Sequence, residues 1–144
     1  MPYLYAMNET KVNKLLGKYG LRKTEVRKEI LDLFLAQNHA LTYHDLQKSI
    51  SDRFDRVTVF RTLSSFEEKG LIHQVLDNSN AAKYALSVDE KNQVEVSAHP
   101  HFKCEDCDQT YCLSEEELAL PSLPDGFVMH KSHVLLEGKC AHCS

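Results

Sequence analysis

No arginine follows Arg61 in this 144-residue chain, and no cysteine precedes Cys104. Nowhere does an apolar run approach the roughly 20 residues that a membrane-spanning helix needs. The opening stretch "MPYLYAMNETKVNKLLGKYG" is too polar throughout for a secretion signal. The expectation is a soluble, cytoplasmic protein with no membrane partner. Net charge is −4, which taken alone argues against nucleic acid. Five cysteines are an odd count for a disulfide framework; in a cytoplasmic chain, paired C-x-x-C motifs point to metal instead. No internal repeat is visible.

What is present is unevenly divided. Residues 1–80 carry 12 Lys+Arg against 10 Asp+Glu, and residues 81–144 carry 5 against 11. The first part is weakly basic and the second strongly acidic, a pattern of two modules with different tasks. Two solvated surfaces that happen to differ would give the same numbers, so charge alone does not decide. The length suits one ordinary domain or two small ones, and apolar content is sufficient for a core.

Helical periodicity dominates residues 1–70. Val12, Leu15 and Leu16 make a short amphipathic stretch that Gly20 terminates. Thr24 is placed to cap a second helix, whose Val26, Ile30, Leu33 and Phe34 fall on one face. "NHAL" interrupts the pattern. Thr42, with Asp45 three residues on, caps the short run "YHDLQKSI". A turn at "SDRFD" follows. Asp55 then caps a helix with a stripe of Val59, Leu63 and Phe66, which Gly70 stops.

After Gly70 the period shortens. "LIHQVL" and "AKYAL" read as strands joined by the turn-rich "DNSNA". A short helix, a tight turn and an arginine-bearing helix come just before this hairpin. That order predicts an α+β protein beginning with a winged helix-turn-helix over residues 1–86, rather than a generic helical domain. Polar "SVDEKNQVEVS" (87–97) reads as a hinge. In the small mixed domain that follows (98–144), "HFKC" and "QTYCL" flank a turn at Asp106–Asp108. "LSEEELAL" reads as a brief helix broken by Pro121 and Pro124, and "FVMHKSHVLLEG" as one long strand.

Two knuckles, Cys104-x2-Cys107 and Cys140-x2-Cys143, complete a closed tetrahedral site that suits structural Zn²⁺. In a domain of about fifty residues such a site contributes folding free energy outright, because little core is available. Free buried thiols are the plainer alternative. His99, His101 and Cys112 remain. If "HPHF" is extended, both imidazoles share a face. With Cys112 on the neighbouring strand they make three-quarters of a second zinc site, or else surface histidines beside a buried thiol.

Five stretches carry a resemblance: "GLRKTEVRKEIL" (20–31), "RVTVFRTL" (56–63), "KGLI" (69–72), "HPHFKCEDC" (99–107) and "EGKCAHC" (137–143). In this order and spacing the chain resembles the ferric uptake regulator family over nearly its whole length, most like its zinc uptake regulator branch. The resemblance implies a winged helix hinged to an α/β dimerisation domain that holds the four-cysteine site. It also implies a regulatory site at the hinge. His99 and His101 match the second and fourth positions of the family's His-His-Asp-His run, and Cys112 matches its carboxylate ligand. Zinc-sensing members place a further ligand at the start of the wing, here His73. The implied regulatory set is His73, His99, His101 and Cys112, so one structural and one regulatory Zn²⁺ per chain. Three nitrogens and one sulfur favour zinc over iron or manganese.

Departures carry information too. Ala98 and Pro100 replace the ligands of the family's further surface site, which is therefore expected to be absent. Ala85 and Ser87 lack the acidic or cysteine ligand that many members have near the end of the wing. His39 falls one residue out of register with a family ligand. It reads as structural or surface, as do His44, His130, His133 and His142, with His133 the first exception to consider. The segment between Cys112 and Phe127 is shorter than the family's dimerisation helix.

The implied partners are a double-stranded DNA operator and a second copy of the chain. Arg56, Thr58, Phe60 and Arg61 lie near the start of the recognition helix, where side chains reach base edges. Phe60 stands where the family usually has tyrosine; core packing beside Val59 is its plainer role. Arg22 matches a basic residue that members direct to the minor groove. Lys23, Arg27, Arg53 and Lys69 serve phosphates or are solvated. An acidic protein binds DNA if its cations share a face. The implied function is zinc-responsive repression of metal-homeostasis genes, with an iron- or peroxide-responsive regulator as the nearest rival. A zinc enzyme is disfavoured, since a filled ligand set leaves no open position and "HPH" lacks a deaminase's Glu. A zinc-knuckle interaction module leaves the winged helix unexplained.

Overall fold

The computed structural model describes residues 2–87, 100–113, 121–130 and 132–144, the side chains of residues 2–8 excepted. The first half contains α1 (Pro2–Lys18), α2 (Glu25–Ala36), β1 (Leu41–Thr42), α3 (Tyr43–Ser49), α4 (Arg56–Glu68), β2 (Ile72–Val75) and β3 (Lys83–Leu86). The second contains β4 (His101–Cys104), β5 (Thr110–Cys112) and β6 (Leu135–Gly138).

Local chemistry sets the helix limits. Thr24 Oγ1 accepts the Arg27 N–H at 3.4 Å. Thr42 and Asp45 form a reciprocal capping box, with bonds of 3.0 and 2.9 Å. Asp55 accepts the Thr58 N–H at 2.7 Å. At the other end, Gly20 and Gly70 adopt φ of 69° and 81°, which side-chain-bearing residues avoid. The chain then turns so that the Leu21 and Leu71 N–H groups donate to the Leu16 and Phe66 carbonyls, each at 2.8 Å. Leu71 and Phe66 are both fully buried, so the cap is sealed by apolar contact.

One core cluster joins α1 to α4 and the wing: Leu16, Ile30, Leu31, Phe34, Leu46, Val59, Leu63, Phe66, Leu71 and Ile72. The wing sheet has the order β1-β3-β2, all antiparallel. The second sheet has the order β5-β4-β6, with β4 antiparallel to β5 and parallel to β6. The expected α+β class is observed: a winged helix-turn-helix followed by a β-rich region with a four-cysteine cluster.

The structure departs from expectation in three places. Helix α1 starts ten residues before the Val12 stripe, at Pro2. β1 is a two-residue strand, too short to leave a period. The long strand expected over 127–138 is confined to Leu135–Gly138. Phe127, Val128 and Met129 are 52–76% exposed, so this apolar run meets no sheet among the described residues. The hinge after Ser87, the brief helix after Leu113, and His99 lie outside the described residues.

The two halves meet where the wing lies against β5. The Ala40 N–H donates to the Thr110 carbonyl at 2.6 Å. Ala40, Val75 and Ala85 pack around Cys112.

Candidate metal centres

Cys104 ends β4, and the chain folds back at once: the Asp108 N–H returns to the Cys104 carbonyl at 3.0 Å, with Asp108 at φ 63°. Cys140 and Cys143 sit on a similar turn closed by the Cys143 N–H to the Cys140 carbonyl at 3.1 Å. The turns face each other, and the Cys140 N–H donates to Cys104 Sγ at 3.4 Å. All four sulfurs lie within 4.8 Å of one another, and Cys107 and Cys140 are 3.8 Å apart. Zn–S bonds of about 2.3 Å in a tetrahedron put neighbouring sulfurs about 3.8 Å apart, so the donor set fits structural zinc.

The protons on these thiols are unequally held. N–H groups of Cys107, then Cys140, bring the Cys104 thiol down to about 6. Burial alone would raise Cys140, but N–H groups of Cys143 and His142 outweigh it. Hydrogen bonds to Cys140 and Cys104 push the Cys143 thiol up to about 12. Two sulfurs favour the thiolate while a neighbour holds its proton against them, the state that a cation displaces.

A second group spans both halves. His101 and Cys112 are directly paired in the β4–β5 register. His73, on β2, brings Nε2 to 4.0 Å from Cys112 Sγ, and its ring lies 5.7 Å from that of His101. One ligating atom from each residue lies within 4.8 Å of the others. His73 Nδ1 is 3.2 Å from Ser87 Oγ, which orients the ring with Nε2 toward the cluster. Ser87 is no ligand in the sequence reading, and this supporting contact was missed there. Burial pushes the Cys112 thiol up to about 11, so it keeps its proton until a bound cation displaces it to solvent. Among the described residues His39 joins neither group. It meets the Tyr111 ring edge-on at 6.1 Å and places Nδ1 3.0 Å from the Ala40 carbonyl. Exposed His133 joins neither group as well.

On α4, Val59 is 2% exposed whereas Phe60 is 44% exposed, so Phe60 is not a core residue. Its ring stacks on Tyr43 of α3, centroids 4.3 Å apart and planes within 6°. The Arg56 guanidinium lies 5.6 Å from the Tyr43 ring and 6.0 Å from that of Phe60. Arg61 is exposed, as is Arg22 in the loop before α2. Thr58 is half-buried, its N–H held by Asp55 and its carbonyl by Thr62 at 2.8 Å. Arg53 is 3.9–4.0 Å from Glu29 and Glu25 carboxylates. Sequence reasoning missed Tyr43 and Val57, the latter 55% exposed on α4. The available signal for Tyr43 was an aromatic directly after a helix cap.

No helix among the described residues is long and apolar enough to cross a membrane. The model of the ferric uptake regulator family matches residues 18–122. The chain is 26% identical to the ferric uptake regulation protein of Staphylococcus aureus over 147 aligned positions, covering 95% of this chain and 98% of that one. Among solved structures, the Vibrio cholerae ferric uptake regulator superposes with a TM-score of 0.58 at 21% identity, covering 89% of this chain and 98% of that one. A zinc uptake regulator complexed with zinc and DNA gives 0.63 at 21%, covering 92% and 90%. At these identities the structures attest the fold. With the winged helix, the clustered thiols and a match over most of its length, the chain belongs to the ferric uptake regulator family, whose members are metal-binding, DNA-binding transcriptional regulators and not enzymes.

Proposed function

We propose that this protein is a zinc-responsive transcriptional repressor of metal-homeostasis genes, acting in the cytoplasm as a homodimer on a palindromic operator. The carrying observation is the convergence of His73, His101 and Cys112 within 4.8 Å across the wing and the second sheet. His99, two residues before His101, is the proposed fourth ligand. Imidazoles and a thiolate form a borderline-soft set that favours zinc, and among the described residues the group contains no carboxylate of the kind iron and manganese sensors use. A metal bound there ties the wing of the DNA-binding domain (1–86) to the dimerisation domain (98–144) across the hinge (87–97). Bound zinc thus selects one spacing between the two recognition helices of a dimer.

Cys104, Cys107, Cys140 and Cys143 hold the structural zinc in this reading. Arg56, Thr58, Phe60 and Arg61 face the major groove, and Arg22 the neighbouring minor groove. Dimerisation is supported by exposed Phe127, Val128, Met129 and Leu136, the last on β6 at the edge of its sheet. Exposed apolar side chains, and a strand at the sheet edge among the described residues, are both covered well by a second copy.

The test uses cobalt-substituted protein and DNA duplexes selected from a random pool by the zinc-loaded protein. Expected are one all-sulfur and one mixed sulfur–nitrogen cobalt spectrum per chain. His73→Ala and Cys112→Ser should each abolish the second spectrum and the zinc dependence of DNA binding. Full zinc-dependent binding by both variants sinks the reading.

A further inference from the structure

Asp77, Lys83 and Thr110 form a buried polar cluster that neither metal group uses. Lys83 Nζ is 2.6 Å from Asp77 Oδ2, with side chains 5% and 2% exposed. Thr110, fully buried, donates its hydroxyl to the same carboxylate at 2.6 Å. Lys83 Nζ also donates to Thr110 Oγ1 at 3.2 Å and to the Asp108 carbonyl. Lys103 donates to the Asp77 carbonyl at 3.1 Å. Asp77 and Lys83 belong to the wing; Lys103 and Thr110 belong to the second sheet, and Asp108 to the turn between β4 and β5. Every one of these bonds except that between Asp77 and Lys83 therefore joins the two halves.

Burial alone would raise the Asp77 carboxyl, but hydrogen bonds from Lys83, Ser79 and Thr110 hold it well below the usual carboxylate range. The Asp77 carboxyl is therefore ionised at neutral pH. Desolvation makes a buried pair a weak source of stability but a sharp selector of geometry, because any other placement leaves a charge without its partners.

The register shows which geometry is selected. Thr110 and Cys112 are two apart on β5 and so share a face. Val75 pairs with Lys83, and His73 pairs with Ala85, two residues along the same ladder. The wing thus meets β5 at two successive steps, Lys83 at Thr110 and His73 at Cys112. Fixing the first step fixes the second.

We propose that Asp77, Lys83 and Thr110 are a latch that seats the wing on β5 without the regulatory metal, and that they thereby preset His73 against His101 and Cys112. The consequence for zinc rests on the sensor reading above; the seating does not. The latch sets sensitivity, because the apparent affinity of a site equals its intrinsic affinity scaled by the fraction already assembled.

The test takes the full chain with its four-cysteine zinc retained and no metal at the second group. Seating is read from the alkylation rate of Cys112, whose thiol packs under Ala40, Val75 and Ala85, and from hydrogen exchange at the Ala40 amide. Thr110→Val should raise both rates about tenfold or more, the scale of losing a hydrogen bond to a buried charge. Thr110→Ser should restore both. Zinc affinity at the second group, read by chelator competition, should weaken in Thr110→Val in proportion to the fall in the seated fraction.

Wild-type alkylation and exchange in Thr110→Val overturn the latch. A lower seated fraction with unchanged zinc affinity, while His73→Ala loses the second zinc, overturns the presetting and leaves the sensor reading intact. Unchanged zinc stoichiometry in both His73→Ala and Cys112→Ser overturns the sensor reading and the presetting with it; the two seating rates then decide the latch alone. If Thr110→Val fails to retain the structural zinc, Lys103→Met removes one bond between the halves and is read in the same way.

Discussion

Stripping zinc from the four-cysteine cluster should unfold β4–β6 and leave the winged helix folded. The helices and wing share a continuous apolar core. Beyond residue 99, the buried apolar side chains among the described residues are Pro100, Cys104 and Cys140. Burying three such groups is worth at most about 2–3 kcal/mol each. Strands β4, β5 and β6 comprise four, three and four residues. Ordering their backbone costs about 1–2 kcal/mol per residue, which already exceeds that gain. A structural zinc supplies about 10–16 kcal/mol, enough to reverse the sign. The assay is residue-level hydrogen exchange before and after a strong chelator, with zinc loss verified by metal analysis. Amides of β4, and Glu105 bonded to the Gly138 carbonyl at 2.8 Å, should lose protection. Those of α4 should keep it. Cys143→Ser should shift the same amides in the same direction. Protection that survives in β4–β6 after zinc loss refutes the reasoning, and so does melting of α4 in the same step.

Three further perturbations test other links. Lys83→Met strands the Asp77 carboxylate at 2% exposure and should lower stability by about 3–5 kcal/mol in urea unfolding. The double variant with Asp77→Asn should recover much of that, and an additive result removes the coupling. Phe60→Ala should weaken binding to the selected duplexes at least several-fold, while stability falls by only about 1 kcal/mol, the worth of its stack on Tyr43. Unchanged DNA affinity would return Phe60 to a packing role. Gly70→Ala should cost about 1–2 kcal/mol, all of it backbone strain at φ 81°, because an added Cβ meets no atom within 4 Å. A neutral result there would mean that the cap relaxes.

How much of this was legible depended on how far apart the interacting residues lie in the chain. Thr24, Thr42 and Asp55 cap helices through bonds three residues long, so their roles can be read in sequence. Gly20 and Gly70 are similarly local. The cysteine knuckles announce themselves by spacing, since each places two thiols on one turn. The latch joins residues 27 and 33 positions apart and has no local signature. Lys83 did offer one clue. It lies in phase with Ala85 on the buried face of β3, where a cation must find a partner. The overlong strand at 127–138 failed for the opposite reason. An apolar pattern alone does not make a half-buried strand, and among the described residues Phe127, Val128 and Met129 have no neighbouring strand to pair with.

The positions of the two metal groups give them different reach. The four sulfurs all come from two turns of the β4–β6 region, so metal there stabilises that region whatever the wing does. His73 belongs to β2, and β2 begins four residues after the end of α4. The intervening Gly70 and Leu71 are tied to Glu67 and Phe66 by hydrogen bonds of 3.0 and 2.8 Å, and Leu71 is fully buried. Flexing that connector strains the helix cap, so under the proposed reading a displacement of His73 is passed to the recognition helix. A sensor ligand at His73 therefore acts through a lever held by the cap of α4. Softening the lever at Gly70–Leu71 should uncouple zinc binding from DNA binding while leaving both individually intact.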